Sequence, residues 1–232
     1  HEMRWATELL DEVDIPHDLL APLLPSGTPL QQITAEAAAL TGLPPSTLVS
    51  VGGHDHVCGA LAVGVTEPGN MLNSLGTAEA VFLPLRRPMT DPQTGRQGYT
   101  QGAHTAGDYY VFAGSYTSGV CLDWFRQAFA AQTDHATLTA EAEKVPPGSL
   151  GVSFCPYMRL ANAPHSDSKA RGAFIGLSTD VQRGTLFRAV IEGIALDTRS
   201  GLEPLLVHTG IGKLKDIYAI GGSTRNRLLM QI

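Results

Sequence analysis

Long apolar runs are missing from this 232-residue chain. Stretches such as Val57 to Val65 stop well short of the ~20 residues a helix needs to cross a bilayer, so no membrane-inserted segment and no membrane partner are expected. Clusters of lysine or arginine are missing too. The 16 basic and 22 acidic residues leave a net charge of −6 with no basic stripe to follow a phosphate backbone, which argues against nucleic acid as a partner. Cysteine is scarce: Cys58, Cys121 and Cys155 lie far apart, form no Cys-x-x-Cys pair and are odd in number, a pattern that fits a reducing, cytoplasmic setting. The opening residues His1-Glu2-Met3-Arg4-Trp5 have neither the apolar core of a signal peptide nor the Arg/Ser-rich character of a transit peptide, and they read like the interior of a longer protein. There is no Gly-x4-Gly-Lys-Ser/Thr loop, no Gly-x-Gly-x-x-Gly turn and no Gly-x-Ser-x-Gly elbow; Gly114 to Gly119 has the wrong spacing for the last, which disfavours a serine hydrolase.

What is present is a chain with 43% apolar residues, enough for a sizeable core, and 25 glycines, above the ~7% of average usage. Apolar spacing predicts short helices around Trp5 to Val13 and over Thr34 to Leu40, the second ended by Gly42. Leu48 to Val51 reads as a strand, Gly52-Gly53 as a sharp turn and Asp55 to Val65 as a buried helix. Glu67-Pro68-Gly69 then breaks the pattern, and a domain boundary is expected there, dividing residues 1–66 from 67–232.

Strands are predicted at Asn70 to Leu75, Glu79 to Leu83, Tyr99 to His104 and Tyr109 to Ala113, the last two forming a hairpin through Ala106-Gly107-Asp108. Helices follow over Thr117 to Ala131 and Thr137 to Lys144, then strands at Gly151 to Cys155 and Ala173 to Ile175, flanking an irregular stretch. A long helix with Thr179 as N-cap, a strand at Asp216 to Ile220, a Gly221-Gly222 turn and a helix from Thr224 complete an α/β chain.

Three glycine turns could present backbone N–H groups to an anion: Gly52-Gly53, Gly221-Gly222 and Ser74-Leu75-Gly76-Thr77. For any one of them a tight connection is sufficient explanation. Asp55, at a helix start where the dipole keeps a carboxylate ionised, is either a cap or a general base that takes a proton from a substrate hydroxyl. His54-Asp55-His56 invites a metal reading, but neighbouring residues at a helix start point in different directions, so no metal ligands are assigned. His104, His135, His165 and His208 stand singly and are expected on the surface or in loops.

Taken together, Val51-Gly52-Gly53-His54-Asp55-His56 with Gly59-Ala60-Leu61, Ser74-Leu75-Gly76-Thr77, and Ala219-Ile220-Gly221-Gly222-Ser223-Thr224-Arg225-Asn226 resemble the FGGY carbohydrate kinases. Phe154-Cys155-Pro156-Tyr157 and the run from Gly172 to Leu177 continue the resemblance in the family's order, although Thr185 and Ala161-Asn162-Ala163 depart from its usual residues. The resemblance implies an actin-like, ribonuclease-H-like fold. Residues 1–66 would be the end of a sugar-binding domain and residues 67–232 most of a nucleotide-binding domain, the family's first phosphate loop preceding His1.

It also implies ATP-dependent phosphorylation of a sugar or polyol, with Mg²⁺ accompanying the ATP. Asp55 would be the catalytic base, Asp55 and His56 would contact substrate, and Gly76, Thr77, Gly119, Asp123, Gly222 and Asn226 would contact the nucleotide. A chain of this extent is expected to be inactive by itself. Two other readings share the cleft: a non-catalytic sugar- or nucleotide-sensing relative, and an actin-like ATPase. The sugar is not named by these residues, and a homodimer is allowed for without a feature that requires one.

Overall fold

The computed structural model describes residues 4–232; His1, Glu2 and Met3 of the opening stretch lie outside the described residues. Helix α1 (Thr7–Glu12) contains no buried residue. Strand β1 (Pro29–Gln32) and strand β2 (Leu48–Ser50) pair antiparallel around helix α2 (Ala35–Thr41). Thr34 caps α2 as its side chain accepts from the Ala37 N–H at 3.1 Å, and Gly42, at φ +73°, ends it.

Helix α3 (Asp55–Ala62) is shorter than the buried helix expected to reach Val65, and only Val57 and Ala60 along it are buried. Gly64, at φ +78°, turns the chain out of the helix. Val65 is nonetheless fully enclosed.

Strands β3 (Asn70–Leu75) and β4 (Glu79–Leu85) follow, then helix α4 (Pro92–Arg96), which the sequence reading left out, and the hairpin of β5 (Thr100–Ala103) with β6 (Tyr109–Ser115). Helices α5 (Gly119–Phe129) and α6 (His135–Glu143), strands β7 (Ser153–Cys155) and β8 (Ala173–Ile175), helix α7 (Arg183–Thr209), strand β9 (Asp216–Ile220) and helix α8 (Arg227–Gln231) complete the order. Gln182, not Thr179, stands at the N-cap of α7, because the chain first makes a turn in which the Val181 N–H bonds the Ser178 carbonyl. The Gly221-Gly222 turn leads into a 3-10 turn, Gly222–Arg225, before α8 begins.

The main sheet runs β5-β6-β4-β3-β9, antiparallel except where β9 joins β3 in parallel. Leu72 and Phe82 on one face form a core with Val57, Ala60 and Val65 of the α3 segment. Met71, Val81, Leu83 and Val111 face the other way, against Leu202, Leu205 and Leu206 of α7. Strand β4 is therefore covered on both sides, and all seven of its residues are buried.

At 27 residues, α7 is long enough to reach a second core, where its Phe187, Val190, Ile191 and Ile194 meet Phe125 of α5, Leu138 of α6 and Phe154 of β7. Arg188 and Glu192 of α7 form an almost fully buried ion pair at 2.7 Å, and Glu192 also accepts from the Gly148 N–H and the Ser149 hydroxyl. Among the described residues no helix is long and apolar enough to cross a membrane.

Candidate functional site

Strand β3 ends in a turn whose groups divide between folding and exposure. The Gly76 N–H is engaged inside the turn, bonding the Ala78 carbonyl at 2.9 Å. The Gly76 carbonyl accepts from the Gly119 N–H at 3.1 Å, and the Thr77 carbonyl from the N–H groups of Ser118 and Val120, each at 3.2 Å. The amides at the head of α5 are thus held by this turn and do not face an open site. Thr77 itself is exposed, and its N–H and hydroxyl have no partner among the described residues. Of the two residues expected to offer amides to a phosphate, Thr77 has its N–H free and Gly76 has its N–H engaged within the turn.

Gly221, at φ +103°, lies against the Leu75 carbonyl so closely that a Cβ there would overlap it. The second and third glycine turns are therefore one structure. In the 3-10 turn that follows, the N–H groups of Gly222 and Ser223 have no intrahelical acceptor. Asn226 caps α8, its Oδ1 accepting from the Leu229 N–H at 3.1 Å while its Nδ2 reaches the Thr139 hydroxyl at 3.4 Å. Its carboxamide is already oriented before any ligand arrives.

These elements wall a cavity of about 850 Å³, within the range of small-molecule sites. Gly76, Thr77, Gly119, Asp123, Gly222 and Asn226 all line it, together with His135, Thr139, Arg225 and Arg227. His135 was expected to be an isolated surface residue; it is exposed, but its Nε2 meets the Asp123 Oδ1 at 2.9 Å and so joins the start of α6 to α5 across the cavity wall.

Asp55 and His56 do not line this cavity. Asp55 is the first residue of α3, its side chain 86% exposed. Its Oδ1 accepts the His56 N–H at 2.8 Å and stands 3.3 Å from the His54 Nδ1. The His56 amide first, and then the charges of His56 and His54, hold this carboxyl below the ordinary aspartate range. Position 55 therefore presents an ionised, accessible carboxylate. Helix α3 that carries it lies beside the end of β9, the Cβ position of Gly59 being 3.8 Å from Ile220 Cδ1.

No group of three or more His, Cys, Asp or Glu side chains among the described residues could hold a metal ion.

Several polar groups in and around these elements escaped the sequence reading. Glu79 on β4 is 5% exposed and accepts from Asn73 at 2.8 Å, Thr198 at 2.8 Å and Ser118 at 3.1 Å, which ties β3, α7 and the head of α5 together. Burial pushes its carboxyl above the ordinary range despite these donors, and burial does the same to nearby Asp197. His104, expected in a loop or on the surface, is also 5% exposed; its Nδ1 accepts from the Ala106 N–H, so its Nε2 donates to the Val65 carbonyl at 3.1 Å. No local motif marks these residues. Their partners lie as many as 119 positions away.

Residues 71–232 match the C-terminal domain of the FGGY family of carbohydrate kinases, and residues 1–62 match its N-terminal domain. The chain is 28% identical to a xylulose kinase from Bacillus subtilis over 228 residues, which covers 98% of this chain and 45% of that protein. It is 33% identical to an autoinducer-2 kinase from Escherichia coli over 244 residues, 98% of this chain and 44% of the relative. Among solved structures, a xylulose kinase from Rhodospirillum rubrum superimposes with a TM-score of 0.81 at 32% identity, covering 96% of this chain and 44% of that one. The chain thus spans somewhat under half the length of the curated relatives it matches.

Proposed function

The chain belongs to the FGGY family of carbohydrate kinases, of actin-like, ribonuclease-H-like fold, and from that premise we propose that it supplies the nucleotide site and the catalytic carboxylate of an ATP-dependent sugar or polyol kinase. One observation carries the reading. Six residues drawn from the turn after β3, from α5 and from the approach to α8 border a single cavity, while a separate ionised carboxylate stands exposed at the head of α3. Residues 1–66 are then the end of the sugar-binding domain and residues 67–232 most of the nucleotide-binding domain.

In this reading ATP occupies the cavity. Its phosphates lie by the free N–H and hydroxyl of Thr77 and the N–H groups that open the 3-10 turn at Gly222, and Asn226 borders the nucleoside end. Mg²⁺ carried on the triphosphate supplies further charge neutralisation when bound. Asp55 accepts the hydrogen bond of the attacking hydroxyl and directs its lone pair toward phosphorus, with His56 beside the substrate. A carboxyl held below its usual range is a weak base, which suits a loose phosphoryl-transfer transition state in which the hydroxyl gives up its proton late. The names of the relatives point to ketoses and similar small sugars as acceptors, and such chemistry fits a cytoplasmic protein.

The test is ATP consumption by a family-length protein containing these residues, against a panel of polyols, ketoses and aldonates. Asp55→Asn should lower turnover by about 10²- to 10⁴-fold and leave ADP affinity unchanged. Turnover within about threefold of the parent would remove Asp55 from the mechanism. The 232 residues alone are expected to transfer no phosphate to any sugar of the panel.

A further inference from the structure

Helix α3, which carries Asp55, is gripped at both ends by one hairpin. At its C-terminal end the buried His104, at the tip of β5, donates to the carbonyl of Val65, just beyond the helix. At its N-terminal end Phe112 of β6 lies under both residues that flank Asp55. The ring centroids of His54 and His56 each stand 6.5 Å from that of Phe112, with the His54 ring inclined to it by only 14°. The two imidazoles are 5.5 Å apart. Thr105, in the same hairpin, closes on Gly53: its Cγ2 lies 2.6 Å from where a Cβ of residue 53 would be, so a side chain there would displace the Thr105 methyl.

Phe112 is itself fixed from behind. It stacks on Tyr110 at 6.0 Å, Tyr110 stacks on Phe82 at 4.9 Å, and Phe82 meets the ring of His104 at 5.4 Å. A continuous set of rings therefore runs from the sheet core to the two residues bracketing Asp55. The contacts of the carboxylate itself are to these same two neighbours, the His56 N–H at 2.8 Å and the His54 Nδ1 at 3.3 Å; it is otherwise solvent-exposed, on a backbone that follows two glycines. Aromatic rings at these separations attract one another beyond simple burial, which favours one orientation of a short helix end.

We propose that the β5–β6 hairpin, through the ring of Phe112, is the positioning device that sets where Asp55 points. The role rests on the function assigned above to Asp55; the placement of the helix end does not. Misplacing a reacting group by about 1 Å costs on the order of 10²-fold in rate, so partial loss of the platform should be visible in turnover.

The experiment compares Phe112→Leu, which keeps apolar bulk in the sheet, with Phe112→Tyr, which keeps the ring. In the family-length kinase, Phe112→Leu should lower kcat about tenfold while KM for ATP and ADP affinity stay within about twofold, and Phe112→Tyr should restore kcat. Hydrogen exchange of the amides from 54 to 58 is read in the same proteins and should quicken severalfold in Phe112→Leu only. Unchanged exchange in Phe112→Leu overturns the proposal whatever the turnover. So does a fall in kcat matched by an equal loss of ADP affinity, since that reports general damage. A parent protein that phosphorylates no sugar defeats the kinase reading instead, and the exchange arm still decides whether the hairpin holds the helix end.

Discussion

Replacing Gly222 with alanine separates what the cavity does for folding from what it does for binding. A methyl group there would meet no protein atom within 4 Å, and the Gly222 backbone is outside the left-handed region. Stability should therefore change by less than about 0.5 kcal/mol. Alanine keeps the N–H, but its methyl, added at a residue that lines the cavity, would hold a phosphate off the N–H groups of Gly222 and Ser223; losing one charge-assisted hydrogen bond costs about 1.5–3 kcal/mol, a rise of roughly 10- to 150-fold in Kd for ADP.

Gly119→Ala is the comparator. Its methyl would stand 2.5 Å from the Gly76 carbonyl oxygen and 2.9 Å from Ser223 Oγ, in place of the ~3.3 Å of a close carbon–oxygen contact, so the turn must separate from α5. That overpacking costs about 1–3 kcal/mol, or about 2–12 °C in Tm for a chain of this size, and should weaken ADP as well. Calorimetric titration with ADP and thermal unfolding read the two quantities. If Gly222→Ala binds ADP within about twofold of the parent, the nucleotide does not lie against this turn, and the reasoning fails.

The buried carboxyl of Glu79 predicts a pH dependence. Its value is raised in the folded state, so the fold favours its protonated form; the contribution is complete below the unfolded value near 4.5 and is lost as pH rises through the folded one. Glu79→Gln should flatten the decline in stability as pH rises above the unfolded value of 4.5 in urea titrations, and an unaltered slope would assign that decline elsewhere. Glu79→Ala leaves Asn73 and Ser118 without their acceptor, while Thr198 can still donate to the Ile194 carbonyl at 3.0 Å, and should cost about 1–3 kcal/mol at any pH. Glu192→Ala strands the Arg188 guanidinium inside the protein and should cost about 3–5 kcal/mol in urea unfolding; a loss under 1 kcal/mol would mean that Arg188 finds water.

Strands β3, β8 and β9 were legible to the residue because each is a short run bounded by breakers such as Gly69, Gly172 and Gly221. The end of α2 was legible because Gly42, which adopts φ +73°, directly follows the alanine-rich run. The start of α7 was misread because Thr179 satisfies the residue preference of a cap, and nothing local reveals the intervening turn at Ser178. The six residues proposed to contact nucleotide, which line one cavity, were singled out by the order of motifs along the chain, not by any one spacing. Glu79, His104 and Phe112 stayed hidden for a physical reason: a carboxylate, an imidazole and a ring take their roles from tertiary neighbours, and strand periodicity marks only the face each occupies.

The crossed bonds between the Gly76–Thr77 turn and the first amides of α5 carry one more implication. Loops that recognise phosphate often become ordered only when ligand arrives, and affinity is reduced by that ordering. In this protein the turn is locked to the helix by three backbone bonds on folding, and Gly221 is wedged behind it, so the site proposed for phosphate is shaped by the fold itself. Nucleotide capture should then resemble docking against a finished mould, with the entropic penalty met once, during synthesis of the fold, and not again at every encounter.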